Sequence, residues 1–351
     1  MTAKDNAMET VSENDVSLAR KISFLKQPGA YSHPVKKVET KETHMSWIFL
    51  VNDVVYKFKK PVMYRFLDFR TLEARLKNCM EEIRLNKRLA GDIYLGVVPL
   101  VLNEEGGLQI EGKGQVVEWL VKMKRIPEEN LLDYAIGLQK TDEALIEGVA
   151  ELLAKFYKNA PPASTEPELY RRKLKDEIIA TGMELQDPLY HFRVELIEHI
   201  TNNLVNFLSI YSFLFDDRIN SGKIIEAHGD LKPEHICLAP QPAVIDALEF
   251  NRDLRIMDIA EELSFLDMEC EIMGDSMTGK IFVDVYQKLS GDKIPEMLLL
   301  FYKAKKSFLR TYLVARHISE ASYKKEQKWM MMANSYLLLS EKYSRMLPGK
   351  I

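Results

Sequence analysis

Hydrophobic and polar positions follow two different periods along the first 125 residues. Apolar residues recur every three or four positions in DVSLARKISFLKQ and in FRTLEARLKNCMEEIRLNKRLA, which predicts two helices. Between them, β-branched and aromatic residues flank VND, so Asn52 and Asp53 are predicted to form a hairpin turn. Strand-like alternation returns in VVPLVLNEEGGLQIEGKGQVVEWLVKMKRI. After the first helix we therefore expect three strands, a helix and two more strands.

The remainder of the sequence has mainly helical periodicity. Helices are predicted in DEALIEGVAELLAKFYKN, ELYRRKLKDEIIATGMEL, YHFRVELIEHITNNLVNFLSIYSFLFDDRIN and a tail from about 296 to 346, with one β-rich island at 224–250. This order predicts an α+β protein. We expect an N-terminal extension at 1–29, disordered over its first 14 or so residues, a small lobe at 30–125 and a large lobe at 126–351. A cleft between two lobes is the usual place for a site.

Composition excludes several classes of protein. The 351 residues carry a formal net charge of -4, without the basic excess typical of nucleic-acid binding. Three widely spaced cysteines favour neither a disulfide scaffold nor a structural zinc site. The polar N-terminus lacks the apolar core of a signal peptide, and no apolar run is long enough to span a bilayer. We therefore expect a cytoplasmic protein without a nucleic-acid or membrane partner; the sequence does not indicate its oligomeric state.

The β-rich island contains the chemistry. It includes HGDLKPEH at 228–235, and two short apolar stretches, HICLA and AVIDA, flank a proline-containing turn. One aspartate precedes the first stretch and another lies at the end of the second, so a hairpin would bring two carboxylates together. Phosphoryl transfer needs such a pair, one acid near the attacking hydroxyl and one holding a divalent ion against the nucleotide phosphates.

These stretches resemble the protein-kinase-like fold on its aminoglycoside and choline kinase branch, and within it bacterial proteins of the aminoglycoside phosphotransferase family. The resemblance is carried by VETKETHMSWIFL, VYKFKKPV, FLDFRTLEARLKNCMEEIRLNKRLA, YLGVVPL, HGDLKPEHICL and VIDALEFNRDLRIMDIAEELSFL, over roughly residues 30 to 270. It implies a bilobal fold with a small antiparallel-sheet N-lobe and a larger, mainly helical C-lobe. It also implies an enzyme that transfers a phosphoryl group from ATP to a hydroxyl of a small molecule.

The resemblance assigns roles in the island. Asp230 corresponds to the catalytic acid that orients or deprotonates the acceptor hydroxyl, and Lys232 to the lysine that neutralises the transferred phosphoryl group. Asp246 corresponds to the magnesium aspartate, and Glu249 lies close enough to assist a second metal or a water. His228 is expected to pack beneath the loop, and Asp258, as a helix cap, to brace it. For each carboxylate the alternative is an ordinary turn or cap residue.

Nucleotide-binding residues are expected in the small lobe. Lys57 corresponds to the lysine that grips the α- and β-phosphates, although Lys59 lies on the same strand face. The helix should supply its partner, Glu82, with Glu81 as the alternative. The backbone from Met123 to Arg125 is expected to contact adenine.

The small lobe departs from the family pattern at its first hairpin. KETHMS contains no glycine where backbone amides normally approach phosphates. Side chains such as Thr43 and Ser46 would have to donate to the phosphates instead, unless this is an ordinary hairpin.

The large lobe departs from the pattern at His235, which replaces a metal-binding asparagine. Magnesium prefers oxygen ligands, whereas manganese accepts imidazole more readily. His235 could therefore bind Mn²⁺ in place of Mg²⁺, bond to an aspartate, or mark lost activity.

Two other segments allow a competing interpretation. GDSMTGKI at 274–281 resembles a Walker loop, but Ile281 replaces its hydroxyl residue and the preceding segment has helical periodicity, so we expect a loop between helices. Lys305, Lys306, Arg310 and Arg316 could line a pocket for an anionic acceptor or form a solvated basic helix face.

Two alternative functions stay open at this point. The missing glycines and His235 fit a nucleotide-binding pseudokinase with a regulatory role. Lys232 within DLKPE fits a kinase acting on protein, but no activation segment is recognisable, since a helix is expected directly after VIDALEF.

Overall fold

The computed structural model describes residues 16–64, 67–320 and 323–349, with side chains omitted at 319–326. The predicted disorder of the first 14 residues lies outside this range. The chain divides into a small unit that ends at Ile126 and a large unit that begins at Pro127. The mixed architecture, with an antiparallel sheet in the first unit and mostly helices in the second, confirms the α+β prediction.

The small unit is built on one antiparallel sheet with strand order β1-β2-β3-β8-β6-β7. Numbered in chain order, its elements are α1 (Leu18–Leu25), β1 (Val38–Glu42), β2 (Ser46–Val51), β3 (Val54–Lys59), β4 (Met63–Tyr64), β5 (Leu67–Asp68), α2 (Leu72–Asn86), β6 (Tyr94–Leu102), β7 (Leu108–Ile110) and β8 (Gln115–Lys124).

Strand β3 places different chemistry on its two faces because side chains alternate along a strand. Tyr56 and Phe58 point into an apolar core that includes Phe49 of β2. Lys57 and Lys59 belong to the opposite set, which faces helix α2. The β2–β3 turn is predicted correctly: Asn52 has a φ of 52°, a left-handed conformation that asparagine tolerates.

The large unit carries the predicted helices and the β-rich island. Its helices are α3 (Leu132–Gly137), α4 (Glu143–Asn159), α5 (Pro167–Leu185), α6 (Val194–Ile210), α7 (Ser212–Asn220), α8 (Ile259–Ile272), α9 (Thr278–Ser290), α10 (Glu296–Ala315) and α11 (Tyr323–Met346). Its strands are β9 (Ile224–Glu226), β10 (Ile236–Cys237), β11 (Ala243–Val244) and β12 (Ile256–Asp258).

One predicted long helix is two helices, α6 and α7, which meet at Tyr211. Phe207 of α6 stacks on Phe301 of α10 at 5.2 Å, and Phe215 of α7 meets the same ring edge-on at 5.1 Å. Both segments thus pack on one ring, and the backbone leaves the helical region at Tyr211. The predicted tail is likewise divided, by a 3₁₀ segment at Arg316–Glu320.

The island forms two short antiparallel pairs, β9 with β12 and β10 with β11. The expected hairpin is present, but its strands are two residues long. The expectation of a helix directly after VIDALEF is wrong. A 3₁₀ turn at Arg252–Leu254 and β12 come first, because β12 completes the pair with β9.

The Walker-like segment is not a phosphate loop. Helix α8, not a strand, precedes it, and Gly274 turns the chain with a φ of 92°. A loop separates the two helices, but Gly279 lies outside it, in the first turn of α9. A Cβ at this position would lie 2.3 Å from the Cα of Asp267, so glycine lets α9 approach α8. Among the described helices, none is both long and apolar enough to cross a membrane.

We predict that Gly279→Ala lowers stability by about 1–3 kcal/mol, because the added methyl group has no space against the α8 backbone. Gly137→Ala is the matched control, since a Cβ there meets nothing within 4 Å and alanine favours helix. Thermal and urea unfolding of both variants measure the difference. Equal stabilities would contradict the close approach.

Candidate active site

The loop at 227–235 is joined to the segment at 245–255 by backbone hydrogen bonds. Ala227 N–H donates to Arg255 O at 2.9 Å, Ile245 N–H to His235 O at 2.9 Å, and Leu248 N–H to His228 O at 3.0 Å. These bonds run alongside the two strand pairs and bring together the loops that carry Asp230 and Asp246.

His228 lies fully buried beneath these two loops and uses both ring nitrogens. Its Nε2–H donates to Ile245 O at 2.8 Å, and its Nδ1 accepts a long bond from Asp230 N–H at 3.4 Å. This arrangement requires the neutral ring, and burial lowers the pKa of His228 to about 3. The geometry agrees with the expected structural role.

Gly229 lies in a left-handed conformation and in close contact with two side chains. Its φ is 88°, and a Cβ would lie 3.0 Å from Arg255 Cγ and 3.1 Å from Leu248 Cβ. Arg255 occupies this space, donating to Leu248 O at 2.8 Å and pairing with Glu226 at 2.6 Å. Sequence reasoning missed Arg255, whose partners lie on distant parts of the chain.

Helix α8 stabilises the loop at 227–235 through a side-chain hydrogen bond. Gly229 N–H donates to Glu262 Oε1 at 2.6 Å, and Tyr157 OH donates to Glu262 Oε2 at 2.8 Å. Asp258 caps α8 as expected, accepting from Ala260 N–H at 2.8 Å, and its buried carboxylate pairs with Arg218 at 2.8 Å. Glu262 was not predicted; in the sequence it is one of two adjacent glutamates in an apolar helix.

Asp230 and Lys232 lie together in the loop. The Lys232 ammonium is 3.1 Å from Asp230 Oδ2 and 2.8 Å from Glu234 Oε1. Burial acts to raise the pKa of Asp230, but nearby cations, Lys232 foremost, hold it below its usual value. Burial acts to lower the pKa of Lys232, but the two carboxylates hold it above its usual value. The Asp230 side chain is 30% exposed, so an ionised carboxylate is accessible beside an ammonium group.

His235 lies between the two aspartate loops. Its Nδ1–H donates to Asp230 O at 2.8 Å, because a carbonyl oxygen only accepts. In the neutral ring this leaves the lone pair on Nε2, which is 3.6 Å from Asp246 Oδ2 and 3.6 Å from Glu234 Oε1. The backbone contact thus fixes the tautomer in which Nε2 can bind a metal.

Asp246 lies at the surface of the loop that follows β11. Its side chain is 43% exposed, and its backbone has a φ of 59°, a left-handed conformation that costs of order 1–3 kcal/mol. Glu249 is nearly fully buried. No group of three or more metal-binding side chains occurs in the described part of the chain. Asp246 with His235 Nε2 nevertheless fits a divalent ion that takes its other ligands from phosphates and water.

In the small unit, Glu82 pairs with both lysines of β3. Lys57 Nζ lies 2.9 Å from Glu82 Oε1, and the fully buried Lys59 contacts the other carboxylate oxygen. The alternative, Glu81, instead pairs with Arg84 at the helix surface. The pair seen here joins the predicted strand to the predicted helix.

The first hairpin is closed by the hydroxyl group of Thr43. Thr43 Oγ1 accepts from Ser46 N–H at 2.9 Å, and Ser46 is almost entirely buried.

At the end of β8, Met123 pairs with Val55 and Tyr94, while Lys124 and Arg125 donate their N–H groups to Ile93 O and Asp53 O. The sheet therefore already uses the amide donors of Lys124 and Arg125, and the predicted roles of these residues stay untested.

The alternative of a solvated basic face on α10 is wrong for Lys305 and Lys306. Lys305 is buried and pairs with Glu261 at 2.9 Å and Glu177 at 2.6 Å, and Lys306 pairs with Glu261 at 3.1 Å. These lysines stabilise the packing of α10 against α8 and α5. Arg316 lies over the ring of Tyr312.

We predict that His228 makes the protein less stable as the pH falls. Its folded pKa lies below its unfolded pKa, so the unfolded state binds the extra proton and stability decreases as pH falls below about 6.5. From pH 7.5 to pH 5.5 this group should cost roughly 1–2 kcal/mol.

Urea unfolding at both pH values should show this loss in the wild type and a smaller one in His228→Gln. His199→Gln, on α6, is the control and should follow the wild type. An unchanged pH dependence in His228→Gln would contradict the neutral buried imidazole.

The comparisons with known proteins begin with sequence. No protein-family profile matches the chain. Uncharacterised proteins from Mycobacterium tuberculosis and Mycobacterium bovis are 31% identical over 288 residues, which cover 80% of this chain and 55% of theirs. The chain thus spans about half the length of the curated relatives that it matches.

Solved structures are similar over most of the chain. A spectinomycin phosphotransferase in complex with AMP is 10% identical, with a TM-score of 0.50, and covers 92% of this chain and 97% of its own. A choline/ethanolamine kinase family protein from Mesorhizobium loti has a TM-score of 0.49 at 12% identity, covering 93% and 98%. An aminoglycoside 2'-phosphotransferase in complex with GDP has a TM-score of 0.47 at 16% identity, covering 89% and 94%.

At this level of identity the likeness shows the fold. The small antiparallel-sheet unit and the larger helical unit together match the spectinomycin phosphotransferase over nearly its whole length. The chain therefore has the protein-kinase-like fold of this phosphotransferase.

Proposed function

We propose that this protein transfers the γ-phosphoryl group of ATP to a hydroxyl group of a small molecule. The observation that carries the proposal is the cluster around Asp230, an accessible, ionised carboxylate that is 3.1 Å from Lys232 in a loop joined to the loop of Asp246. Structural uses do not require an acid to stay both exposed and charged beside a lysine, whereas phosphoryl transfer does.

In the proposed reaction the acceptor oxygen attacks the γ-phosphorus. A new oxygen–phosphorus bond forms, the bond to the bridging oxygen of the β-phosphate breaks, and ADP leaves. Asp230 orients the hydroxyl and receives its proton. Lys232, kept protonated by Asp230 and Glu234, stabilises the charge on the phosphoryl group.

The small unit contributes the phosphate contact in this proposal. Glu82 is buried and orients Lys57, so the ammonium group is held in place before nucleotide binds. Lys59 contacts the same carboxylate, so two ammonium groups pair with one carboxylate. We propose Lys57, the more exposed of the two, for the α- and β-phosphates. Roles for Thr43, Ser46 and Met123 stay predictions.

Asp246 and His235 would hold the divalent ion, whose chemistry is to neutralise the nucleotide phosphates. The exposed Asp246 carboxylate and the Nε2 lone pair of His235 are the available ligands. Glu249 is a further predicted ligand, although it is nearly buried. The imidazole favours Mn²⁺ over Mg²⁺ relative to a site with asparagine.

We expect Asp230→Asn to lower phosphoryl transfer by about 10²–10⁴-fold, because the hydroxyl loses its proton acceptor. Nucleotide binding should be retained, measured as the rise in melting temperature with ATP and Mg²⁺ or Mn²⁺. Asp217→Asn, on the exposed face of α7, is the control and should keep wild-type transfer.

The same assay separates the alternatives. Nucleotide binding without transfer, unchanged by Asp230→Asn, would indicate a regulatory nucleotide-binding protein. Radiolabel from ATP in protein instead of a small molecule would indicate a protein kinase. No shift in melting temperature with any nucleotide and metal pair would contradict the proposal.

We further expect His235→Asn to change metal preference. Replacing the imidazole by an oxygen ligand should lower the ratio of the affinity for Mn²⁺ to the affinity for Mg²⁺ by about tenfold or more. Mn²⁺ binding followed by electron paramagnetic resonance, with Mg²⁺ as competitor, measures this without turnover. His199→Asn is the control, and an unchanged ratio in His235→Asn would exclude His235 as a ligand.

A further inference from the structure

Arg310 of α10 belongs to a three-residue cluster with Glu269 of α8 and Tyr336 of α11. Arg310 Nε lies 3.2 Å from Glu269 Oε1, and Tyr336 OH donates to Glu269 Oε2 at 2.9 Å. The guanidinium group lies over the Tyr336 ring, 5.2 Å from its centroid. Carboxylate and ring together hold the guanidinium in one orientation.

The cluster lies on the side of α8 that supports the catalytic loop. Glu262 contacts the loop through Gly229 N–H at 2.6 Å, and Glu269 comes seven residues later. Seven residues are two helical turns, so both side chains lie on one face of α8, about 10 Å apart along its axis. The charge of Arg310 contributes to lowering the pKa of Asp230. The pKa of Glu269 is in turn lowered by Lys232 and raised by Asp230.

Arg310 keeps donors available. A guanidinium group carries five N–H donors. Within the described part of the chain, its Nε lies 3.2 Å from Glu269 Oε1 without a hydrogen bond, and its Nη2 donates a long bond to Tyr336 OH at 3.4 Å. Its side chain is 20% exposed, whereas Lys305 on the same helix is buried between two glutamates. Arg310 is therefore a fixed, partly accessible cation near the proposed catalytic acid.

We propose that Arg310 binds an anionic group of the acceptor, so that the substrate is an alcohol that also carries a carboxylate or a phosphate. The inference rests on the proposed function and specifies its substrate class. A planar guanidinium recognises both groups through paired hydrogen bonds. In this proposal the acceptor hydroxyl lies at Asp230 and the anionic group at Arg310. An ammonium group at the same place would be repelled, so cationic alcohols are disfavoured.

The test compares alcohols that share a short carbon skeleton but differ in charge: glycerol, glycerate, glycerol phosphate and ethanolamine, extended to larger sugar acids and sugar phosphates. The wild type should transfer phosphate to anionic members with the highest kcat/KM. Comparison of the carboxylates with the phosphates shows which anion fits.

The diagnostic variant is Glu269→Gln combined with Arg310→Gln, because removal of the arginine alone would leave a buried carboxylate unpaired. We expect a KM for the anionic acceptor at least tenfold higher, an unchanged KM for ATP, and loss of the preference for anionic over neutral alcohols. Arg310→Lys should retain part of the preference. Arg345→Gln, on the exposed surface of α11, is the control and should retain all of it.

Several outcomes would overturn the inference while leaving the proposed function intact. One is a wild type that turns over ATP but phosphorylates only neutral or cationic alcohols, or no alcohol of the anionic set. Another is a double variant that keeps the anionic preference with a wild-type melting temperature. If the wild type neither binds nor turns over ATP, the proposed function itself fails.

Discussion

The structure of the proposed active site depends on one buried, uncharged imidazole. His228 donates to Ile245 O and receives a bond from Asp230 N–H, and its own carbonyl accepts from Leu248 N–H. One side chain and one peptide unit therefore join the loop of Asp230 to the loop of Asp246. A charged ring could not make these contacts, because both nitrogens would then be donors and burial opposes the charge. This neutral residue, together with the bond from Ile245 N–H to His235 O, joins the two loops that carry the aspartates.

Around His228, distant side chains maintain a loop whose backbone is otherwise unusual. Gly229 and Asp246 both have positive φ values, of 88° and 59°. Arg255 packs over Gly229, and Glu262 binds its amide, so the left-handed turn is supported from two sides. Glycine adopts such a conformation freely, whereas at Asp246 it persists only where surrounding contacts determine it. The support leaves Asp230 accessible while its backbone is held in place, the arrangement that positioned proton transfer requires.

The charged residues of the molecule fall into two groups with different consequences. Lys305, Lys306 and Asp258 are buried and matched by opposite charges, so they stabilise packing between helices. Lys232 and Arg310 each contact a carboxylate while part of the side chain stays accessible. Paired but accessible cations are already held in position and still able to bind an anion. Lys57 is as buried as Lys306, so burial alone does not separate this proposed phosphate contact from the structural lysines.

The sequence by itself determined the α+β class, the α2 helix, the β2–β3 hairpin and the motif containing Asp230, because helix and strand periods and catalytic motifs are local properties of the chain. It also indicated that Lys57 pairs with Glu82, because the sequence resembles a known family and not because of the spacing of the two residues. Only the tertiary structure decided that Arg255 covers Gly229, that Glu262 supports the loop, and that α6 and α7 separate at Tyr211. It also decided that Lys305 and Lys306 of α10 form buried ion pairs, where the basic run had allowed a solvated face. These features depend on residues far apart along the chain, and hydrophobic periodicity records which face of an element is buried but not which partner covers it.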